Sequence, residues 1–285
     1  MTTEILLCSD LDRTLLPNGL QDESPQARNL LRMLAERPEV TLAYVSGRHK
    51  QLLLDAIDEF DIPVPDYAIG DVGTTIYQID GNQWIAWDEW SKEIAPDWNG
   101  HEHDELAALF DDMHGLRLQE DEKQNTFKLS YYASENEDAK QLVDIMQQRL
   151  QPLDVHASLI WSVDEAMHRG LLDVLPACAT KYHAVRFLME RNGFAEQNTV
   201  FAGDSGNDLP VLTSGMQAVL VRNATDEVRY EAVQAVRTKG CEHRLYLANG
   251  GFLGMNGNYT AGMLEGAAHF LPQVGDWLSQ MQEQT

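Results

Sequence analysis

Short apolar runs that stop at polar or acidic residues alternate with longer stretches of helical periodicity along most of the chain. Ile5–Cys8, Val40–Val45, Tyr67–Ile69, Thr199–Ala202 and Ala218–Val221 read as strands buried on both faces, the habit of a parallel sheet. Helical patterns lie between them. Ser24–Glu36 carries Leu30, Leu31 and Leu34 on one face, with Ser24 placed as N-cap and Pro25 in the first turn. Gln51–Phe60 carries Leu53, Leu54 and Ile57, and Lys181–Asn192 stops at Gly193. This alternation predicts an α/β fold, a doubly wound Rossmann-like parallel sheet.

The pattern changes at the Asp80-Gly81-Asn82 turn. Glu102–His114 reads as a helix, Thr126–Tyr132 as a strand, Asp138–Leu150 as an amphipathic helix, and Ser158–Val163 and Leu171–Leu175 as further strands. The expected organisation is a core of residues 1–80 and 174–285 with a smaller inserted α+β domain at 81–173. Asn249–Asn258 holds four glycines and reads as a mobile loop, and the polar stretch after Gly275 reads as a frayed end.

Composition narrows the partners. The 285 residues are 44% hydrophobic, enough for a sizeable core, and 21 basic against 45 acidic residues give a net charge of −24. Such a chain repels a polyphosphate backbone and anionic lipid, so neither nucleic acid nor a membrane is an expected partner. No apolar run approaches the ~18 residues a membrane span needs. Met1-Thr2-Thr3-Glu4-Ile5 shows no basic segment followed by an apolar stretch, so the expectation is a soluble cytoplasmic protein. Cys8, Cys178 and Cys241 are too scattered for a disulfide framework or a zinc site.

Candidate chemistry gathers at predicted strand ends, where open α/β sheets bind ligands. Asp10-Leu11-Asp12-Arg13-Thr14 follows the first strand, and two carboxylates two residues apart on extended backbone point the same way. Gly203-Asp204-Ser205-Gly206-Asn207-Asp208 follows another. Together they supply the hard oxygen donors that suit Mg²⁺. Ser46 and Gly47 end the second strand with a hydroxyl and a free N–H, and Lys181 opens a helix. Each feature alone also reads as a polar turn, a cap or a surface charge. His101-Glu102-His103 lacks the spacing of a metal-binding helix pair, and Trp84, Trp87, Trp90 and Trp98 read mainly as packing residues.

In their order, these motifs resemble the haloacid dehalogenase superfamily, and the insertion resembles the C2-type cap of its Cof-like phosphatases. A narrower similarity is to the sucrose-phosphate phosphatases. It is carried by Asp10-Leu11-Asp12, Leu42-Ala43-Tyr44 with Ser46-Gly47-Arg48, Asp66-Tyr67 and Asn125-Thr126-Phe127-Lys128-Leu129-Ser130-Tyr131. Asp173-Val174-Leu175-Pro176, Lys181, the 203–208 turn, Val221-Arg222-Asn223-Ala224 and Ala261-Gly262 continue it. Ser46 stands where these enzymes often have Thr, Arg13 follows the second Asp, and the 249–258 loop is longer.

The resemblance implies a phosphatase acting on a sugar phosphate, foremost sucrose 6-phosphate. Asp10 would be the nucleophile and Asp12 the general acid and base, with Ser46 and Lys181 completing the catalytic set. Mg²⁺ would be held by Asp10, the Asp12 carbonyl, Asp204 and Asp208. Substrate would meet Ser46, Gly47, Arg48, Lys181 and Asn207, with Lys128 and Tyr131 of the cap reading the sugar. A monomer or weak homo-oligomer, functionally paired with a sugar-phosphate synthase, is expected. The alternatives are a phosphatase for another glycosyl phosphate such as mannosyl phosphoglycerate, a phosphosugar mutase, or a non-enzymatic phospho-receiver.

Overall fold

A computed structural model describes residues 4–134, 136–164 and 167–283. The strands are β1 (Ile5–Ser9), β2 (Val40–Val45), β3 (Tyr67–Gly70), β4 (Thr75–Asp80), β5 (Gln83–Ala86), β6 (Arg117–Leu118), β7 (Leu129–Ser134), β8 (Ala157–Asp164), β9 (Arg169–Pro176), β10 (Thr199–Gly203), β11 (Gln217–Leu220) and β12 (Leu245–Leu247). The chain divides into two compact units, Met1–Ala86 with Lys181–Thr285, and Trp87–Thr180.

The first unit is built on one sheet in the order β12-β11-β10-β1-β2-β3-β4-β5. It is parallel from β12 to β3, and β4 and β5 add to its edge as an antiparallel hairpin. This is the doubly wound α/β fold that the patterning predicts. The apolar runs are unbroken because both faces of the sheet are covered. Ile5 and Leu7 of β1 join a core cluster with Leu30, Leu34, Leu264 and Leu278 from helices Ala27–Ala35, Thr260–Phe270 and Pro272–Gln282. Leu6 and Cys8, on the opposite face, are equally buried.

The second unit holds an antiparallel sheet, β6-β7-β9-β8. One face packs Leu129, Tyr131, Ala133, Leu172 and Val174 against Leu106, Leu142, Met146 and Leu150 of the unit's helices and Phe110 in the turn after one of them. Trp90 and Trp98 are fully buried, consistent with packing residues.

Several expectations change. Asp80-Gly81-Asn82 is not a domain boundary. Gly81, at φ +58°, and Asn82 form the two-residue turn between β4 and β5, so the division falls after Ala86. At the other crossing, β9 runs on to Pro176, and the division falls between Thr180 and Lys181. Ser24 does not cap the first helix, which starts at Ala27. Its Oγ instead accepts the Asn256 N–H at 2.9 Å. The stretch after Gly275 is not frayed through residue 282, because it lies in Pro272–Gln282 with Val274, Leu278 and Met281 buried. Residues 1–3, 284 and 285 lie outside the described residues.

The glycine-rich loop is also held rather than mobile. Buried Glu265 accepts the Asn249 and Gly250 N–H groups at 3.0 and 2.9 Å and the Tyr246 hydroxyl at 2.9 Å. Arg222 donates to the Asn256 carbonyl at 2.9 Å, and Asn256 and Asn258 both donate to the Asp22 carbonyl. Glu265→Ala strands two backbone donors and opens a hole beside them. Hydrogen bonds to a charged acceptor are worth ~1.5–3 kcal/mol each, so chemical denaturation should show a loss of about 3 kcal/mol or more. An unchanged transition would mean that Glu265 does not hold the loop.

Candidate active site

Asp10 is the first residue beyond β1, and its N–H bonds the Ala202 carbonyl of β10 at 2.9 Å, which extends the sheet ladder into the acidic 10–14 segment. Asp204 is likewise the first residue beyond β10. Two adjacent parallel strands thus deliver two carboxylates to their carboxyl ends. Asp208 folds back onto the same place. Its Oδ2 accepts the N–H groups of Asp204 and Ser205 at 3.1 and 3.2 Å and the Ser205 hydroxyl at 3.2 Å. Only glycine permits this approach: a Cβ on Gly203 would lie 2.7 Å from the Asp208 side chain. Asp10, Asp204 and Asp208 are all buried, with one carboxylate oxygen from each lying within 4.8 Å of the others.

Lys181, first in its helix and 4% exposed, answers this charge. Its Nζ donates to Asp10 Oδ1 at 2.7 Å, Asp208 Oδ1 at 2.8 Å and the side-chain carbonyl of Asn207 at 3.2 Å. The two carboxylates hold the ammonium above its ordinary pKa against the downward pull of burial. Burial pushes Asp10 up to about 7, with Lys181 opposing and Asp208 assisting. Asp204 is pushed up to about 6 by burial and by Asp208, opposed by Thr14 and Arg13.

Asp12 has a different environment and a half-exposed side chain. Arg48 grips it with a fork, Nε to Oδ2 at 2.9 Å and Nη2 to Oδ1 at 2.6 Å, and Asn18 donates to Oδ1 at 2.7 Å. Burial raises this carboxyl, but Arg48 and Asn18 outweigh it and leave the pKa below the ordinary value. The Arg48 guanidinium is thus engaged by the protein's own carboxylate, where the resemblance had assigned it to substrate. Its backbone is fixed as well: the N–H bonds Ser46 Oγ at 3.2 Å, and the carbonyl accepts the Asp71 N–H at 2.9 Å. Ser46 is buried at the end of β2 and Gly47 is exposed beside it.

Tyr131 requires a correction. Strand alternation places it with Leu129 and Ala133 on the helix-packed face, edge-on to Phe110 at 6.0 Å, so it does not share a face with Ser130 and Tyr132. Lys128, two residues before Ser130 and outside that cluster, is buried. The sequence pattern assigned no role to Thr14, whose hydroxyl donates to Asp204 Oδ1 at 3.1 Å, or to Asn18. Thr14 was visible in the DxDxT string, whereas nothing local marks Asn18.

The sucrose-6F-phosphate phosphohydrolase family model matches residues 3–271. The chain belongs to that family. It is also 59% identical over its whole length to a HAD-like hydrolase of Nitrosococcus oceani, covering 76% of that protein. Mannosylfructose-phosphate phosphatase of Agrobacterium fabrum is 27% identical over 78% of this chain and 85% of its own. The sucrose-phosphatase of a Synechocystis species, solved with sucrose and phosphate, superposes with a TM-score of 0.70 and 26% identity, covering 94% of this chain and 98% of that one. This sucrose-6F-phosphate phosphohydrolase family member is a phosphatase of the haloacid dehalogenase superfamily.

The residues present fit a divalent cation. Three buried carboxylates face one ammonium, and their oxygens are the hard donors that Mg²⁺ prefers. Between a pH of about 3.8 and about 7, Asp10 and Asp204 bind more protons folded than unfolded. Metal-free stability from these groups is therefore present at low pH and falls as pH rises through that window. Mg²⁺ should raise the unfolding temperature at pH 7.5, with about 2.7 kcal/mol gained at 100 times Kd. Asp204→Asn should abolish the gain in calorimetry, and a wild-type protein indifferent to Mg²⁺ would contradict the fit.

Proposed function

We propose that the chain is a Mg²⁺-dependent phosphatase of phosphorylated disaccharides, with sucrose 6-phosphate as the leading substrate and a phosphoenzyme formed on Asp10. The observation that carries this reading is the contrast between two carboxylates two residues apart. Asp10 is buried against Lys181, and Asp12 is half-exposed in the fork of Arg48. Two such environments suit two different roles.

In this mechanism Asp10 attacks phosphorus, and the P–O bond to the sugar breaks as Asp12 gives a proton to the leaving oxygen. Asp12 then takes a proton from the water that hydrolyses the aspartyl phosphate. Lys181, the Ser46 hydroxyl and the Gly47 N–H hold the phosphoryl oxygens, and Asn207 keeps Lys181 oriented. Mg²⁺ would be held by Asp10, the Asp12 carbonyl and Asp204 with Asp208 in support, and supplies positive charge against the phosphoryl group. Arg48 keeps Asp12 ionised in the resting site. Transfer of its guanidinium to substrate removes that stabilisation, so Asp12 takes up a proton from solvent and holds it as the acid that protonates the leaving oxygen.

Lys128 of the inserted unit is the remaining candidate for reading sugar hydroxyls. The mannosylfructose-phosphate phosphatase relative keeps a second reading open, a phosphatase for a different disaccharide phosphate. We place the enzyme in the cytoplasm as a monomer or weak homo-oligomer, downstream of a sugar-phosphate synthase.

Phosphate release across sucrose 6-phosphate, mannosylfructose phosphate, glycosyl phosphoglycerates and glucose 6-phosphate tests the substrate. Sucrose 6-phosphate should lead in kcat/KM. Parity with glucose 6-phosphate would remove the disaccharide assignment. Asp10→Asn should abolish turnover with the fold intact. Asp12→Asn should cost on the order of 10²–10⁴-fold on an alkyl phosphate and much less on an aryl phosphate with a good leaving group. Lys128→Ala should lower kcat/KM for the disaccharide by about one to two decades and spare the aryl phosphate. Equal losses on both substrates would remove Lys128 from sugar recognition.

A further inference from the structure

Two non-glycine residues near the catalytic segment hold unusual backbone conformations, and one buried amide is bonded to both. Arg13, between Asp12 and Thr14, has φ +60°, and Tyr259 has φ +53° with ψ −135°. Both conformations are unfavourable for L-residues and persist only where surrounding contacts impose them. Asn223, 5% exposed and three residues beyond β11, supplies such contacts. Its Nδ2 donates to the Arg13 carbonyl at 2.6 Å, and its Oδ1 accepts the Tyr259 N–H at 2.8 Å.

We propose that Asn223 is a positioning residue for the phosphatase reaction, acting through the Arg13 peptide. With Arg13 turned into the left-handed region, Asp12 points to Arg48 and Asn18, and Thr14 points to Asp204. The Arg13 N–H is held by Asn18 Oδ1 at 2.8 Å, so Asn223 fixes the other end of the same residue, and a slack Arg13 carbonyl loosens the aim of both neighbours. The farther part of the segment has its own anchors. Thr260 Oγ1 donates to the Leu15 carbonyl at 2.7 Å, and the Tyr259 hydroxyl accepts the Gln21 N–H at 3.1 Å. Gly19 leaves room for that hydroxyl, since a Cβ there would lie 2.6 Å from it. Asn223 is thus the described side chain that ties the Asp12–Thr14 turn to the 249–259 loop.

The inference rests on Asp12 as the proton carrier, so its signature is sensitivity to the leaving group. Asn223→Asp keeps the acceptor for Tyr259 but loses the donor to Arg13. Asn223→Ala loses both without adding charge. Both variants should lower kcat on an alkyl phosphate by at least about tenfold more than on p-nitrophenyl phosphate, with KM for each changed by less than about threefold. Hydrogen exchange should quicken across residues 10–16 while β2 and β11 stay protected. Tyr259→Phe, which removes only the Gln21 bonds, should leave the ratio between the two substrates unchanged. Equal losses on both substrates, or unchanged exchange across 10–16, would overturn the positioning role. Wild-type protein that turns over neither phosphate would overturn the phosphatase reading instead, and exchange alone would then decide whether Asn223 holds the turn.

Discussion

The buried ammonium of Lys181 against Asp10 and Asp208 is the constraint on which the site depends. A buried ion pair returns little net stability, because desolvation consumes most of the Coulombic gain. Removing one partner, however, leaves an uncompensated charge in a poorly solvated place. With Asp204 a few ångströms away, one lysine cannot neutralise the cluster. The sheet therefore holds Asp10 and Asp204 well above the usual carboxylate range, and a bound cation would favour their ionised forms. That instability suits the nucleophile role proposed for Asp10, which requires a carboxylate both ionised and poorly solvated.

Local geometry keeps this arrangement from relaxing. β1 and β10 are fully buried neighbours, so the positions of Asp10 and Asp204 follow from the register of a sheet that cannot slip without moving the core. Gly203 allows Asp208 to return to the strand end. On the second-strand side, Asp71 and Val72 both lie at positive φ, and Asp71 bonds the Arg48 carbonyl. Backbone strain of this kind concentrates at functional sites, where surrounding structure outweighs its cost.

The whole-chain charge of −24 opposes an anionic substrate. At the strand ends Arg13, Arg48 and Lys181 stand against Asp204, Asp12, Asp10 and Asp208, so a bound cation is needed to turn the site towards an anion. Fixed cations in a partly desolvated crevice act more strongly than diffuse surface charge, which salt screens. The overall acidity therefore says little about the substrate.

The sequence by itself determined the parallel sheet, the acidic turns at its strand ends and the lysine that opens a helix. These are local facts: a strand buried on both faces shows as an apolar run, and the residues just after that run must lie at the strand's end. It did not reveal the Thr260–Phe270 helix, whose first eight residues are all buried, because a helix covered all round has no polar stripe to mark its period. Nor did it reveal Asp226–Lys239, where only Ala232 and Val236 are buried. On the expected Thr126–Tyr132 strand, alternation alone already put Tyr131 and Lys128 on opposite faces, since their spacing is odd; in the structure the strand starts only at Leu129. Tertiary structure alone decided that Arg48 holds Asp12 across 36 residues, that Asn223 reaches Arg13 across 210, and that Glu265 fixes a glycine-rich loop. Such pairings depend on which chain segments the sheet order brings side by side, and no local pattern of hydrophobic and polar residues encodes that order.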